Sequence, residues 1–143
     1  MKSLQELYRY AREENIAVDW FPLKTRQALS LIDEQGRCYV AIDPDKLTGE
    51  ADERAKLAHE LGHCATGAFY NQYSDFDSRQ RQENKADKWA ICQVVTEEEL
   101  DDAVAQGRVT VWELAEYFGI PESLMQKAVC WYTYGNVAAE MYF

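Results

Sequence analysis

The sequence predicts an α+β fold: an N-terminal helix, a small three-stranded β-meander, then a helical half carrying the motif helix and a second ligand-bearing helix. Three observations predict it. Apolar residues stand at helical spacing in residues 3–15, β-rich runs cluster between 17 and 42, and helical patterning resumes from residue 50. The strands come as one block and do not alternate with helices, so a parallel α/β sheet is disfavoured. With 143 residues, 47% of them hydrophobic, the chain suits one domain over residues 1–143 with one modest core.

Each element has its own signal. Ser3 is a plausible N-cap for a helix bearing Leu4, Leu7, Tyr8 and Ala11 on one face. Residues 17–21 (AVDWF) read as a strand ending at Pro22. Residues 28–42 read as a hairpin whose turn is Glu34-Gln35-Gly36, with Gly36 supplying the positive φ such a turn needs. Pro44 closes that unit. A long helix follows over 50–68, stopping near Gly67, and after a polar loop a second spans 78–95. Thr96 and Glu99 form a capping box for a shorter helix. Residues 110–118 make another, closed by Gly119, and Pro121 suits the first turn of a last helix over 121–134.

Charge and composition exclude several functions. Twenty-five acidic residues against 15 basic ones leave a net charge of −10, with Lys and Arg scattered. That is no footprint for nucleic acid or an anionic membrane. The N-terminal MKSLQELYRYAREEN lacks the apolar core of a signal peptide, and no stretch approaches a membrane span. Cys38, Cys64, Cys92 and Cys130 form no C-x-x-C and are expected as reduced thiols, with the cytoplasm as compartment.

The chemistry concentrates in His59-Glu60-Leu61-Gly62-His63. Residues i and i+4 on a helix lie about 40° and about 6 Å apart, so two imidazoles there converge on one ion. Neutral imidazole is a good zinc ligand. Glu60 between them is placed to take a proton from a water on that ion. The chain has only two histidines and both are in the motif. The competing reading, two surface histidines on a solvated helix, is weakened by the uncharged flanks Ala58, Leu61, Gly62, Cys64 and Ala65.

With no third His, the remaining ligand must be an acid or a cysteine. In helix 78–95, Glu83 and Asp87 fall on the apolar stripe of Ala86, Ala90, Ile91 and Val94. Carboxylates on a buried face are costly unless they bind a cation or are fully hydrogen-bonded. Glu83 can coordinate the metal, and Asp87, one turn later, can accept the free N–H of a ligating imidazole. The plainer alternative pairs both acids with nearby Arg79, Lys85 or Lys88. Cys64 is rotated about 100° from His63, and Cys92 reads as a small packed hydrophobe. Tyr70 and Tyr73, in the loop after the motif helix, are conceivable oxyanion donors, but a loop tyrosine usually packs.

His-Glu-Leu-Gly-His, followed by Glu83-Asn-Lys-Ala-Asp87-x-Trp-Ala90, resembles the ImmA/IrrE family of metallopeptidases, gluzincin-like HExxH proteins of bacteria, phages and integrative elements. The likeness covers roughly residues 5–130, including VTVWELAEYFGIPESLMQKAV. It implies a Zn²⁺ site with His59, His63 and Glu83 as ligands, Glu60 as base and Asp87 behind a histidine. It also implies an endopeptidase whose protein substrate is a helix-turn-helix repressor or similar regulatory partner. One departure is ICQVVTEEE where many members carry an apolar run with Met-Pro. The alternative function is a non-catalytic, zinc-stabilised module that sequesters a repressor or toxin; retention of Glu60 argues for the enzyme.

Overall fold

The computed structural model describes residues 1–143. Helix α1 (Leu4–Glu13) is followed by strands β1 (Ala17–Trp20), β2 (Ala28–Ile32) and β3 (Cys38–Ile42). Helices α2 (Glu50–Thr66), α3 (Phe76–Val94), α4 (Glu97–Ala105), α5 (Val111–Phe118) and α6 (Glu122–Tyr134) complete the chain, with single 3-10 turns at Pro44–Lys46 and Ala139–Met141. The α+β class and the order of helix, sheet and helical half are as the sequence predicts.

Side-chain caps set where the helices begin. Ser3, Asp75, Thr96 and Thr110 each accept a backbone N–H three residues on. Each such cap contributes about 1 kcal/mol over alanine. The Asp75 cap starts α3 at Phe76, ahead of the expected 78. Pro121 stands at the cap position of α6 instead of within its first turn.

The strand order corrects the expected meander. β3 is central, with β2 antiparallel on one side and β1 parallel on the other. The β2–β3 hairpin is local, its turn held by Asp33, whose carboxylate accepts the Gln35 and Arg37 N–H groups. Residues 21–27 are long enough to carry the chain past the end of β3, so β1 pairs with the most buried strand instead of with β2. β2 is thereby left as an open edge.

Helix α2 lies at the centre, packed on β2 and β3, on α1 and on α3. Leu57, Ala58 and Leu61 are fully buried there, against a core that includes Leu7, Val40, Ile42, Ile91, Val94, Phe118 and Met125. Each large aliphatic side chain so buried contributes about 1.5–3 kcal/mol. Buried Arg54 on α2 donates to the carbonyls of Phe118, Gly119 and Val94, satisfying the C-terminal ends of α5 and α3. No helix is long and apolar enough to cross a membrane.

Two cysteine expectations are corrected. Cys38, at the head of β3, and Cys64, near the end of α2, form a disulfide with Cα atoms 6.0 Å apart. The pair is separated by 26 residues and meets only because β3 packs on α2, so no local spacing announces it. Cys92 and Cys130 are free; Cys130 is buried, whereas Cys92 is exposed and not packed as a small hydrophobe. The disulfide removes the reduced-thiol support for a cytoplasmic location.

Candidate metal centre

The site is built on the contact between α2 and α3. Gly62 permits that contact: a Cβ there would lie 2.5 Å from the Ala86 carbonyl oxygen and 3.0 Å from its Cα. The residue between Leu61 and His63 therefore has no side chain for a steric reason, and α3 comes close enough for its acids to reach the rings of α2. Gly67 ends α2 in a left-handed conformation at φ 68°. The chain then turns back so that the Ala68 carbonyl accepts a hydrogen bond from His63 Nδ1.

The other ring is oriented by α3. His59 Nδ1 is 2.8 Å from Asp87 Oδ1. With both Nδ1 atoms engaged as donors, both Nε2 atoms are left to point at a common space, 3.2 Å apart. Glu83 closes the group: its Oε2 lies 2.7 Å from His59 Nε2 and its Oε1 3.4 Å from His63 Nε2. Donors about 2.0–2.1 Å from a tetrahedral ion are separated by about 3.3 Å. The two Nε2 atoms, 3.2 Å apart, are close to that value, and the hydrogen bond between His59 Nε2 and Glu83 Oε2 must open by about 0.6 Å to admit an ion. Two imidazoles with their Nδ1 atoms fixed, plus one carboxylate, thus fit a divalent cation.

Glu60 is a second carboxylate nearby. It is 8% exposed, and one of its oxygens lies within 4.8 Å of ligand atoms on both histidines. It makes no hydrogen bond to either ring; instead Ser30 Oγ, on the edge strand β2, donates to its Oε1 at 3.1 Å. Glu83 is hydrogen-bonded to His59 and lies 3.4 Å from His63, whereas Glu60 forms with the two histidines a group whose ligand atoms all lie within 4.8 Å of one another and which could itself hold a metal ion.

The electrostatics agree with a cation-seeking site. Burial alone would lower the His59 pKa, but the carboxylates of Asp87 and Glu83 on its two nitrogens outweigh burial and push it up to about 10. His63 is raised against burial by Glu83 and the Ala68 carbonyl. Burial pushes Glu83 and Asp87 upward, yet both fall below the usual carboxylate range. Glu83 is lowered by His59, His63 and Tyr70, and Asp87 by His59 and Lys127. The negative charge that holds a proton between His59 and Glu83 would equally attract a metal ion.

The structure therefore brings His59, Glu60, His63, Glu83 and Asp87 into one cluster. It sits in a cleft of about 600 Å³ between α2, α3, β2 and the start of α6. Three side chains were not foreseen in their positions. Tyr70 donates to Glu83 Oε1 at 2.6 Å. Ser30 holds Glu60. Lys127 donates to Asp87 Oδ2 at 2.8 Å, so Asp87 has a cationic partner as well as a histidine, and it comes from α6 and not from Lys85, Lys88 or Arg79. Tyr70 had a weak signal, its place just after the motif helix; Ser30 and Lys127 had none.

Residues 22–129 match the family described as Peptidase_M78, the IrrE N-terminal-like domain. No curated protein matches the chain.

Proposed function

The chain belongs to the IrrE N-terminal-like Peptidase_M78 family, and on that premise we propose that it is a zinc-dependent endopeptidase cutting a helix-turn-helix repressor or a similar regulatory protein. The observation that carries the reading is the division of labour between two acids. Glu83 is hydrogen-bonded to His59 and lies 3.4 Å from His63, whereas Glu60 is buried beside both rings and held from the other side by Ser30.

In this reading His59, His63 and Glu83 hold the metal. Bound zinc supplies a water of lowered pKa and positive charge for the scissile carbonyl oxygen. Glu60 accepts the proton of the attacking water and passes it to the departing amine. Ser30 ties one oxygen of Glu60 and leaves the other for that transfer. Asp87 and the Ala68 carbonyl fix both rings with Nε2 facing the cleft. Tyr70 holds Oε1 of Glu83, favouring metal binding through the other oxygen. The open edge of β2 borders the cleft and offers backbone groups to an extended substrate segment, which would add as a further strand.

The test uses a repressor encoded beside the chain's own gene as substrate. Glu60→Gln should keep stoichiometric zinc by elemental analysis while cleavage falls by about 10²–10⁴-fold. Cleavage at the wild-type rate by this variant would contradict the assignment of Glu60.

A further inference from the structure

We propose that Lys127, on α6, is a positioning residue for the metal centre, acting through Asp87 on the orientation of His59. The inference rests on the metal reading above.

Asp87 is 6% exposed and accepts two side-chain hydrogen bonds, one at each oxygen. Oδ1 takes His59 Nδ1 at 2.8 Å, and Oδ2 takes Lys127 Nζ at 2.8 Å. No backbone N–H reaches this carboxylate, so its rotation is fixed by those two partners alone. A ligating imidazole is aimed by what its other nitrogen bonds. An Asp87 free to turn about its Cβ–Cγ bond would aim His59 less sharply.

Lys127 is itself 38% exposed, but its partner is a buried carboxylate. Its ammonium is the one hydrogen-bond partner of Asp87 Oδ2, and it borders the same cleft as the two histidines. Lys88, the neighbouring cation on α3, is engaged over the Trp131 ring at 4.9 Å and does not substitute. The metal centre is therefore assembled from three helices. α6 contributes no ligand but anchors the acid behind one, coupling the C-terminal pair α5–α6 to the site. The family match runs to residue 129 and so includes Lys127.

The test measures Zn²⁺ affinity by chelator competition and the visible spectrum of the Co²⁺-loaded chain, for wild type, Lys127→Met, Lys127→Arg, Asp87→Ala and the Asp87→Ala/Lys127→Met double variant. Lys127→Met should weaken zinc binding about tenfold and alter the cobalt bands. Lys127→Arg should recover affinity to within about threefold, because a guanidinium can donate to the same oxygen. In the Asp87→Ala background, Lys127→Met should change nothing further. Wild-type affinity and spectrum for Lys127→Met would overturn the proposal. So would an equal loss with Asp87 already removed. A wild-type chain that binds no zinc would show up separately and would overturn the metal reading itself.

Discussion

The two walls of the cleft are built on opposite principles. The helical wall, α2 against α3, is held by close packing: Gly62 lets the Ala86 backbone approach, and Leu57, Ala58, Leu61, Ala90 and Ile91 are fully buried around it. The strand wall, β2 and the 21–27 segment leading into it, has no buried side chain; β2 pairs with β3 and packs on α2, and the 21–27 segment is tied down by two polar side chains. Asp43 accepts the N–H groups of Leu23 and Asp45. Lys46 donates to the carbonyls of Leu23, Lys24 and Arg26. Candidate ligands sit on the close-packed wall, and the open edge of β2 lies on the wall without buried side chains. That division suits a site needing exact metal geometry but a tolerant substrate track.

Three perturbations separate these principles. The disulfide Cys38–Cys64 joins the sheet to the helical wall. Cys64→Ser should cost about 3 kcal/mol in denaturant unfolding without reductant, and the difference from wild type should vanish in excess dithiol. Equal stability under oxidising conditions would mean the bond does not brace the walls. Gly62→Ala attacks the packed wall directly. It should cost about 2 kcal/mol, overpacking outweighing the gain in helix propensity, and it should weaken zinc binding by moving α3. A stabilised variant with unchanged zinc affinity would refute the close-approach account.

The third and smallest effect concerns the strand wall and carries a pH signature. The pKa of Asp43 is lowered, first by the Leu23 N–H and, against burial, also by the Asp45 N–H and Lys46. A carboxyl whose folded value lies below its unfolded one contributes stability above the unfolded value and loses it as pH falls through the folded one. Asp43→Asn should therefore be less stable than wild type at neutral pH. The gap should begin to narrow as pH falls below about 4, the value of an unfolded aspartate, and go on narrowing through the lower folded value. A gap constant from pH 7 to 3 would contradict this.

What the sequence disclosed follows from range. His59 and His63 share one helical turn, as do Glu83 and Asp87, so their spacing alone places each pair on a face. The caps at Ser3 and Thr96 are equally local. The parallel pairing of β1, the Cys38–Cys64 bond, Ser30 on Glu60 and Lys127 on Asp87 are contacts between segments 22 to 40 residues apart. They exist only after the elements pack, and no periodicity encodes them. Gly62 lies between: it is visible inside the motif, but its reason, the Ala86 backbone, belongs to another helix.

The central claim is that one cation joins the two histidines of α2 to Glu83 of α3 while Glu60 stays outside the coordination shell. A crystal structure of the zinc-loaded chain, with the ion located by anomalous scattering, tests it most directly. The account predicts His59 Nε2, His63 Nε2 and one Glu83 oxygen at about 2.0–2.2 Å from the ion, with Glu60 unbonded to it and still held by Ser30. Zinc coordinated by Glu60, with the Glu83 carboxylate turned away from both rings, would contradict it.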